Sequence, residues 1–177
     1  MNFTPFPNLT TQRLILRQMK IEDENEIFFL RSDERILEYT EIPKAVTVDD
    51  ARKFIEKINN GIPKNEWVFW GITLKNDDKL IGTICLWNIS EDRLTTDIGY
   101  VLHPDFHGRG VMQEAIREVI KYGFETMRVN TINADVDPNN SKSILLLERN
   151  GFVLSRKSKN TVIYSLLNSA GRVLRTS

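Results

Sequence analysis

The chain has 177 residues, 41% hydrophobic and 27% charged, with nine glycines and six prolines, which is the make-up of one globular domain and excludes collagen-like, low-complexity and wholly disordered chains. Lysine plus arginine and aspartate plus glutamate both number 24, so no overall basic field invites nucleic acid, and the longest aliphatic run, residues 144–147, is far short of a membrane span. The lone Cys85 cannot form an internal disulfide, His103 and His107 have no zinc spacing, and the opening residues lack a basic-then-apolar leader; neither metal nor membrane is expected, and the expected location is the cytoplasm.

Residues 13–19, RLILRQM, are strand-like, and the acidic then apolar stretch 21–31 reads as a helix. Thr47 and Asp50 are spaced as a capping pair for a second helix, in which Ala51, Phe54, Ile55 and Ile58 share one face and Gly61 marks the end. The runs 67–74 and 80–89, joined by KNDDK, form a hairpin, and 94–102 follows as a further antiparallel strand. Within these strands Cys85 reads as a packed small hydrophobe, and Trp67, Phe69, Trp70 and Trp87 read as core ahead of pocket lining.

Beyond residue 102 the pattern changes. HPDFHGRG leads into a helix in which Met112, Ala115, Ile116, Val119, Ile120 and Met127 form one stripe. Residues 129–136 are strand-like, Asn140 in DPNN is placed to cap the helix SKSILLLERN, Gly151 ends that helix, and FVLSRK and TVIYSLL form a closing hairpin. A meander feeding a β-α-β unit predicts a mixed α+β domain over residues 1–168, with the sheet covered by helices. Residues 169–177 lack apolar periodicity and are expected to be a frayed tail.

The sharpest local feature is the loop His107, Gly108, Arg109, Gly110, Val111, Met112. It lies between a strand and a helix start, where unpaired N–H groups and the helix dipole favour an anion and glycines admit a phosphate. A P-loop needs a Gly-Lys pair followed by Ser or Thr, and a dinucleotide fingerprint needs a third glycine where Gln113 stands; neither pattern fits. A tight strand-to-helix turn is the competing reading.

Residues 99–115, GYVLHPDFHGRGVMQEA, and 137–152, DPNNSKSILLLERNGF, together resemble the GCN5-related N-acetyltransferase superfamily, in its RimJ/RimL-like branch. Gly110 matches the superfamily's loop pattern, whereas His107 stands at its Arg/Gln position and Met112 at its second Gly/Ala position. The Gly-Tyr strand end, the proline before the loop, the Glu-Ala pair in the helix, and Asn140, Ser143, Leu147, Glu148, Gly151 and Phe152 all fall at family spacing. The resemblance extends over about residues 10–167 and is weaker at the N-terminal strand. It implies one domain with a central twisted, mostly antiparallel sheet of about seven strands flanked by about four helices.

The resemblance also implies transfer of an acetyl group from acetyl-CoA to a primary amine by direct attack through a tetrahedral intermediate. A ribosomal-protein N-terminus is the suggested acceptor, small amines are the alternative, and the protein is expected as a monomer or homodimer. A non-catalytic acyl-CoA-binding module of the same fold is the rival reading. The backbone of His107, Gly108, Arg109, Gly110, Val111 and Met112 would hold the CoA pyrophosphate, with Arg109 either adding charge or lying on the surface. The strand through Tyr100, Val101 and Leu102 would pair with the pantetheine arm, placing the Tyr100 N–H near the thioester oxygen. Many relatives place a thiol-donating tyrosine where Leu147 stands; in the RimL-like branch a serine takes that role, at Ser143, whose other reading is helix capping. Asn140 would bond either the helix or the pantetheine. Asp97 is the first candidate for taking the amine proton, with His103, Glu38 and Glu41 behind it.

Overall fold

The computed structural model describes residues 1–158 and 160–168. Eight strands form one sheet: β1 (Leu9–Thr10), β2 (Leu14–Arg17), β3 (Val68–Leu74), β4 (Asp77–Trp87), β5 (Thr95–Leu102), β6 (Thr131–Val136), β7 (Val153–Lys157) and β8 (Val162–Leu167). Their order is β1-β2-β3-β4-β5-β6-β8-β7, and among the described residues the β5–β6 pair alone is parallel. The helices are α1 (Glu24–Ser32), α2 (Glu34–Leu37), α3 (Val48–Gly61), α4 (Val111–Lys121) and α5 (Ser141–Arg149). A π-helical segment, Tyr122–Met127, prolongs α4.

Strand alternation explains why both faces of the sheet are apolar. Trp70, Ile84 and Ile98 lie across one face and are buried. There the Trp70 indole meets the Tyr122 ring edge-on at 5.3 Å, while Ile132 and Leu86 crowd Gly123, so the α4 segment roofs this side. On the other face Phe69, opposite Cys85, meets Phe54 of α3 at 5.7 Å. Helices therefore cover both faces. Arg17 forms a bidentate pair with Asp23 and reaches Asp78 at 2.8 Å, tying β2 to α1 and β4; both Arg17 and Asp23 are buried, so removing Arg17 would leave the Asp23 carboxylate buried without its cation.

The α+β reading and each of the expected strands and helices are found, with two additions. β1 is too short for a period-2 pattern to show, and α2 is a single turn capped by Asp33, which accepts from the Arg35 N–H. Thr47 and Asp50 form the expected capping box. Gly61, however, is the last residue of α3 and does not itself turn the chain: a 3-10 turn follows, and Asn65, at φ 59°, makes the reversal. Gly61 instead leaves room for Trp67, whose ring would lie only 2.2 Å from an added Cβ. The tail 169–177 lies outside the described residues.

Candidate functional site

β5 runs beside β4 from Trp87↔Asp97 to Gly82↔Leu102, but it pairs with β6 only at Thr95↔Thr131, Thr96↔Ile132 and Asp97↔Asn133. The two strands part after Asp97. The Thr95 carbonyl accepts from Ser90 and the His103 N–H donates to Ile81, both on the β4 side, whereas the Leu94 carbonyl accepts from Asn130 and Thr131 on the β6 side. Because backbone direction alternates along a strand, Ile98, Tyr100 and Leu102 turn their N–H and C=O groups into the opening. The Leu102 carbonyl is met there by His107 Nε2 at 3.0 Å. The Tyr100 N–H therefore faces the gap between β5 and β6.

The glycine loop stands at the wide end of this opening. After a 3-10 turn over Pro104–Phe106, Gly108 and Gly110 both adopt φ +72°, a left-handed conformation that glycine takes without a Cβ penalty. An added Cβ at Gly108 would meet nothing within 4 Å, so the loop faces open space. Gly110 is the N-cap of α4 and has no side-chain cap, which leaves the first-turn amides to an incoming acceptor. Val111 and Met112 are buried, so their side chains pack inward beneath the loop. The Arg109 guanidinium lies 5.6 Å from the Phe106 ring centroid.

Behind the loop, Arg13 donates from Nη1 to the Arg109 carbonyl at 3.0 Å and from Nε to Glu114 Oε2 at 2.6 Å. Glu114 Oε1 accepts from the Thr11 hydroxyl at 2.5 Å and the Arg13 N–H at 2.7 Å. Burial works against ionisation of Glu114, but these donors outweigh it and hold the carboxyl below its ordinary value. Gln113 Nε2 donates to Asn150 Oδ1 at 2.6 Å, joining α4 to the end of α5.

Across the opening, Asn140 Oδ1 accepts from the Ser143 N–H at 3.1 Å and so caps α5. The cap uses the Ser143 backbone, and the Ser143 side chain is committed elsewhere: its Oγ lies 2.7 Å from the Tyr100 hydroxyl, with either group able to donate. Burial pushes the Tyr100 phenol up to about 12, which keeps it a neutral donor. Leu147 is fully buried. The Tyr100 hydroxyl was not anticipated from sequence, where only the backbone of that residue entered.

Asp97 lies on the opposite face of β5 from the Tyr100 side chain. Its Oδ2 accepts from Asn88 Nδ2 at 2.7 Å. Its cross-strand partner is Trp87, which is 48% exposed and so departs from the core reading; of the other two tryptophans, Trp70 is fully buried and Trp67 half-buried against the core. At Gly99 an added Cβ would press on Cys85 Sγ at 3.3 Å and only touch Trp87 Nε1 at 3.6 Å. Cys85 is buried, its thiol pushed up to about 12 by burial, in keeping with a packing role. His103 stacks on Phe29 at 4.4 Å and accepts from the Asp105 N–H; Glu38 and Glu41 are exposed on the segment after α2. Of the four candidate bases, Asp97 alone stands where β5 and β6 part. Among the described residues no group of three or more His, Cys, Asp or Glu side chains is placed to hold a metal ion.

A twisted sheet that opens between two parallel strands, with a glycine loop starting a helix at the mouth, is the architecture of an acetyltransferase. The acetyltransferase (GNAT) domain pattern matches residues 13–153, and the chain belongs to that family and is an N-acetyltransferase. It is 34% identical over 144 residues to "Uncharacterized N-acetyltransferase p20" of Bacillus licheniformis, covering 81% of each chain. Among solved structures it is similar to the ribosomal-protein-S5-alanine acetyltransferase of Vibrio fischeri, at TM-score 0.80 and 22% identity over 92% of this chain and 97% of that one. It is similar also to RimL, the ribosomal L7/L12 alpha-N-protein acetyltransferase, in complex with coenzyme A, at TM-score 0.82 and 18% identity over 93% and 99%. No helix among the described residues is long and apolar enough to cross a membrane.

Proposed function

We propose that residues 1–168 form one acetyltransferase domain that moves an acetyl group from acetyl-CoA to a primary amine, with a ribosomal-protein N-terminus as the first acceptor to test. The observation that carries this reading is the parting of β5 from β6 beside the uncapped start of α4. Amide groups of Ile98 and Tyr100 face that gap, and it fits a pantetheine arm, which bears amides of its own. The loop at residues 107–112, open at Gly108, fits a pyrophosphate held by backbone N–H groups. Acetyl-CoA would supply an activated acetyl thioester.

The residues of this chain divide the remaining work between the two faces of β5. The Tyr100 N–H donates to the carbonyl oxygen on which negative charge builds during attack. Asp97 takes the proton that the amine must lose, directly or through water. Ser143 Oγ, held by its bond to the Tyr100 hydroxyl 2.7 Å away, donates to the departing thiolate and recovers its proton from water. The amine nitrogen gains a bond to the acetyl carbon, the carbon–sulfur bond breaks, and one proton moves from nitrogen to Asp97 while another moves to sulfur. The placement of acid and base on opposite faces supports an acceptor that enters from the Trp87 side. The test is a transfer assay over ribosomal-protein N-terminal peptides and small amines, preceded by a thermal-shift titration with CoA. Acetylated peptide with release of free CoA thiol is expected. No binding at millimolar CoA would overturn the reading.

A further inference from the structure

Arg13 and Glu114 stand 101 residues apart in sequence, and none of the chemistry above uses either. Three donors converge on Glu114: the Thr11 hydroxyl, the Arg13 N–H and the Arg13 guanidinium. The same guanidinium donates through Nη1 to the carbonyl of Arg109, the peptide unit just before the helix cap. In a trans peptide the C=O and the next N–H point in opposite directions. Holding the Arg109 oxygen toward Arg13 therefore turns the Gly110 N–H to the side away from Arg13. The left-handed φ of Gly110 lets the chain enter α4 from that orientation, and Arg13 Nη2 lies 3.5 Å from where a Cβ on Gly110 would be. Glu114 sits in the first turn of α4 and accepts from the turn between β1 and β2, so the clasp fixes both the loop and the helix start against one support.

We propose that Arg13 is a positioning residue for the phosphate loop, one that acts by orienting the peptide between Arg109 and Gly110 and not by placing charge on the ligand. The inference rests on the reading of this loop as the CoA site. Its sign is distinctive. Removing the negative charge of Glu114 beside a polyphosphate would tighten binding if Arg13 acted as a bare cation, because Glu114 would then merely oppose it. If the clasp orients the loop, the same change weakens binding.

The experiment is calorimetric titration of Arg13→Ala, Arg13→Lys and Glu114→Gln with CoA, alongside steady-state kinetics and melting temperatures. Arg13→Ala is expected to weaken CoA binding by roughly tenfold to a hundredfold, the equivalent of losing hydrogen bonds to a charged group. Arg13→Lys should recover only part of this, since a single ammonium does not span both the carbonyl and the carboxylate as a planar fork does. Glu114→Gln should weaken binding in the same direction. The KM for acetyl-CoA should rise in all three while kcat at saturation and the acceptor KM stay within about twofold. If Arg13→Ala fails to fold, Glu114→Gln alone decides the sign. Tighter CoA binding by Glu114→Gln, or wild-type affinity in Arg13→Ala, would overturn the proposal. A wild-type protein that does not bind CoA would overturn the reading of the site instead.

Discussion

Replacing Ser143 with alanine separates chemistry from structure, because the two uses of this residue reside on different atoms. The Asn140 cap is accepted from the Ser143 backbone N–H and survives the substitution, so the usual cost of losing an N-cap, about 1 kcal/mol, does not apply. What is lost is one hydroxyl pair at 2.7 Å with Tyr100, worth about 1 kcal/mol net, or about 1–3 kcal/mol if the buried phenol finds no other partner. For a chain of this size each kcal/mol lowers the melting temperature by about 2–4 °C. Tyr100→Phe removes the same hydrogen bond and should cost a similar amount. Turnover should distinguish the two variants. Without a donor to the thiolate, Ser143→Ala should lose about tenfold to a thousandfold in kcat, some 1.4–4 kcal/mol of barrier, while Tyr100→Phe, which leaves Ser143 in place, should lose less. Acetyl donors whose thiols are more acidic than CoA should restore Ser143→Ala in part, since a better leaving group needs less help. The assay is thiol release under saturating donor, with calorimetric melting on the same samples. If both variants turn over within about twofold of the parent, or if the Ser143→Ala deficit is the same for every leaving group, Ser143 is not the proton source.

Three further outcomes follow from the same geometry. Gly110→Val places a β-branched residue at φ +72°, which should destabilise the fold by about 1–2 kcal/mol and abolish the thermal shift that CoA produces; an undiminished shift would make the loop a turn and nothing more. Asp97→Asn should lower turnover most at low pH, where more amine is protonated, with CoA affinity little changed by calorimetry; an unaltered pH profile would move the amine proton to water. Cys85, raised to about 12 from an ordinary value of 9.0, and Tyr100, raised to about 12 from 10.0, both favour their protonated forms in the folded state. The stability they contribute is fully present below the unfolded values and is lost as pH rises from about 9 toward 12. Chemical denaturation at stepped pH should show that decline, and the Cys85 thiol should resist alkylation at pH 8 until the protein unfolds.

Much of the fold was readable because its signals are local. The capping box at Thr47 and Asp50, the Asn140 cap and the positive φ of Gly151 each depend on residues a few positions apart, and the glycine loop announced itself by composition. The rest depended on distance in sequence. Tyr100 and Ser143 are 43 residues apart and Arg13 and Glu114 are 101 apart, so no window of sequence brings them together. Trp70 and Trp87 lie on opposite faces of the sheet, Trp70 across from Ile84 and Trp87 across from Asp97; a period-2 pattern separates the faces but not how far along each one a helix reaches, so Tyr122 covers Trp70 while Trp87 stays 48% exposed. α3 does end at Gly61, but what requires glycine there is the packing of Trp67 against it, a contact that the local sequence does not show.

The parting of β5 from β6 also gives this sheet a border in its middle. Most sheets keep unpaired backbone at their two outer strands, where it is shortened, charged or covered to prevent stray pairing with other chains. Here a stretch of unpaired edge lies between strands that are otherwise flanked on both sides, over residues 98–102 on one bank and 134–136 on the other. The two banks diverge from a common root at Asp97 and Asn133, so a full protein strand cannot run between them in register with both. A narrow linear molecule carrying its own amides can. A molecule that bonded to both banks would join the β1–β5 and β6–β8 halves of the sheet. Ligand binding should therefore slow amide exchange on both banks together, as a mechanical brace would.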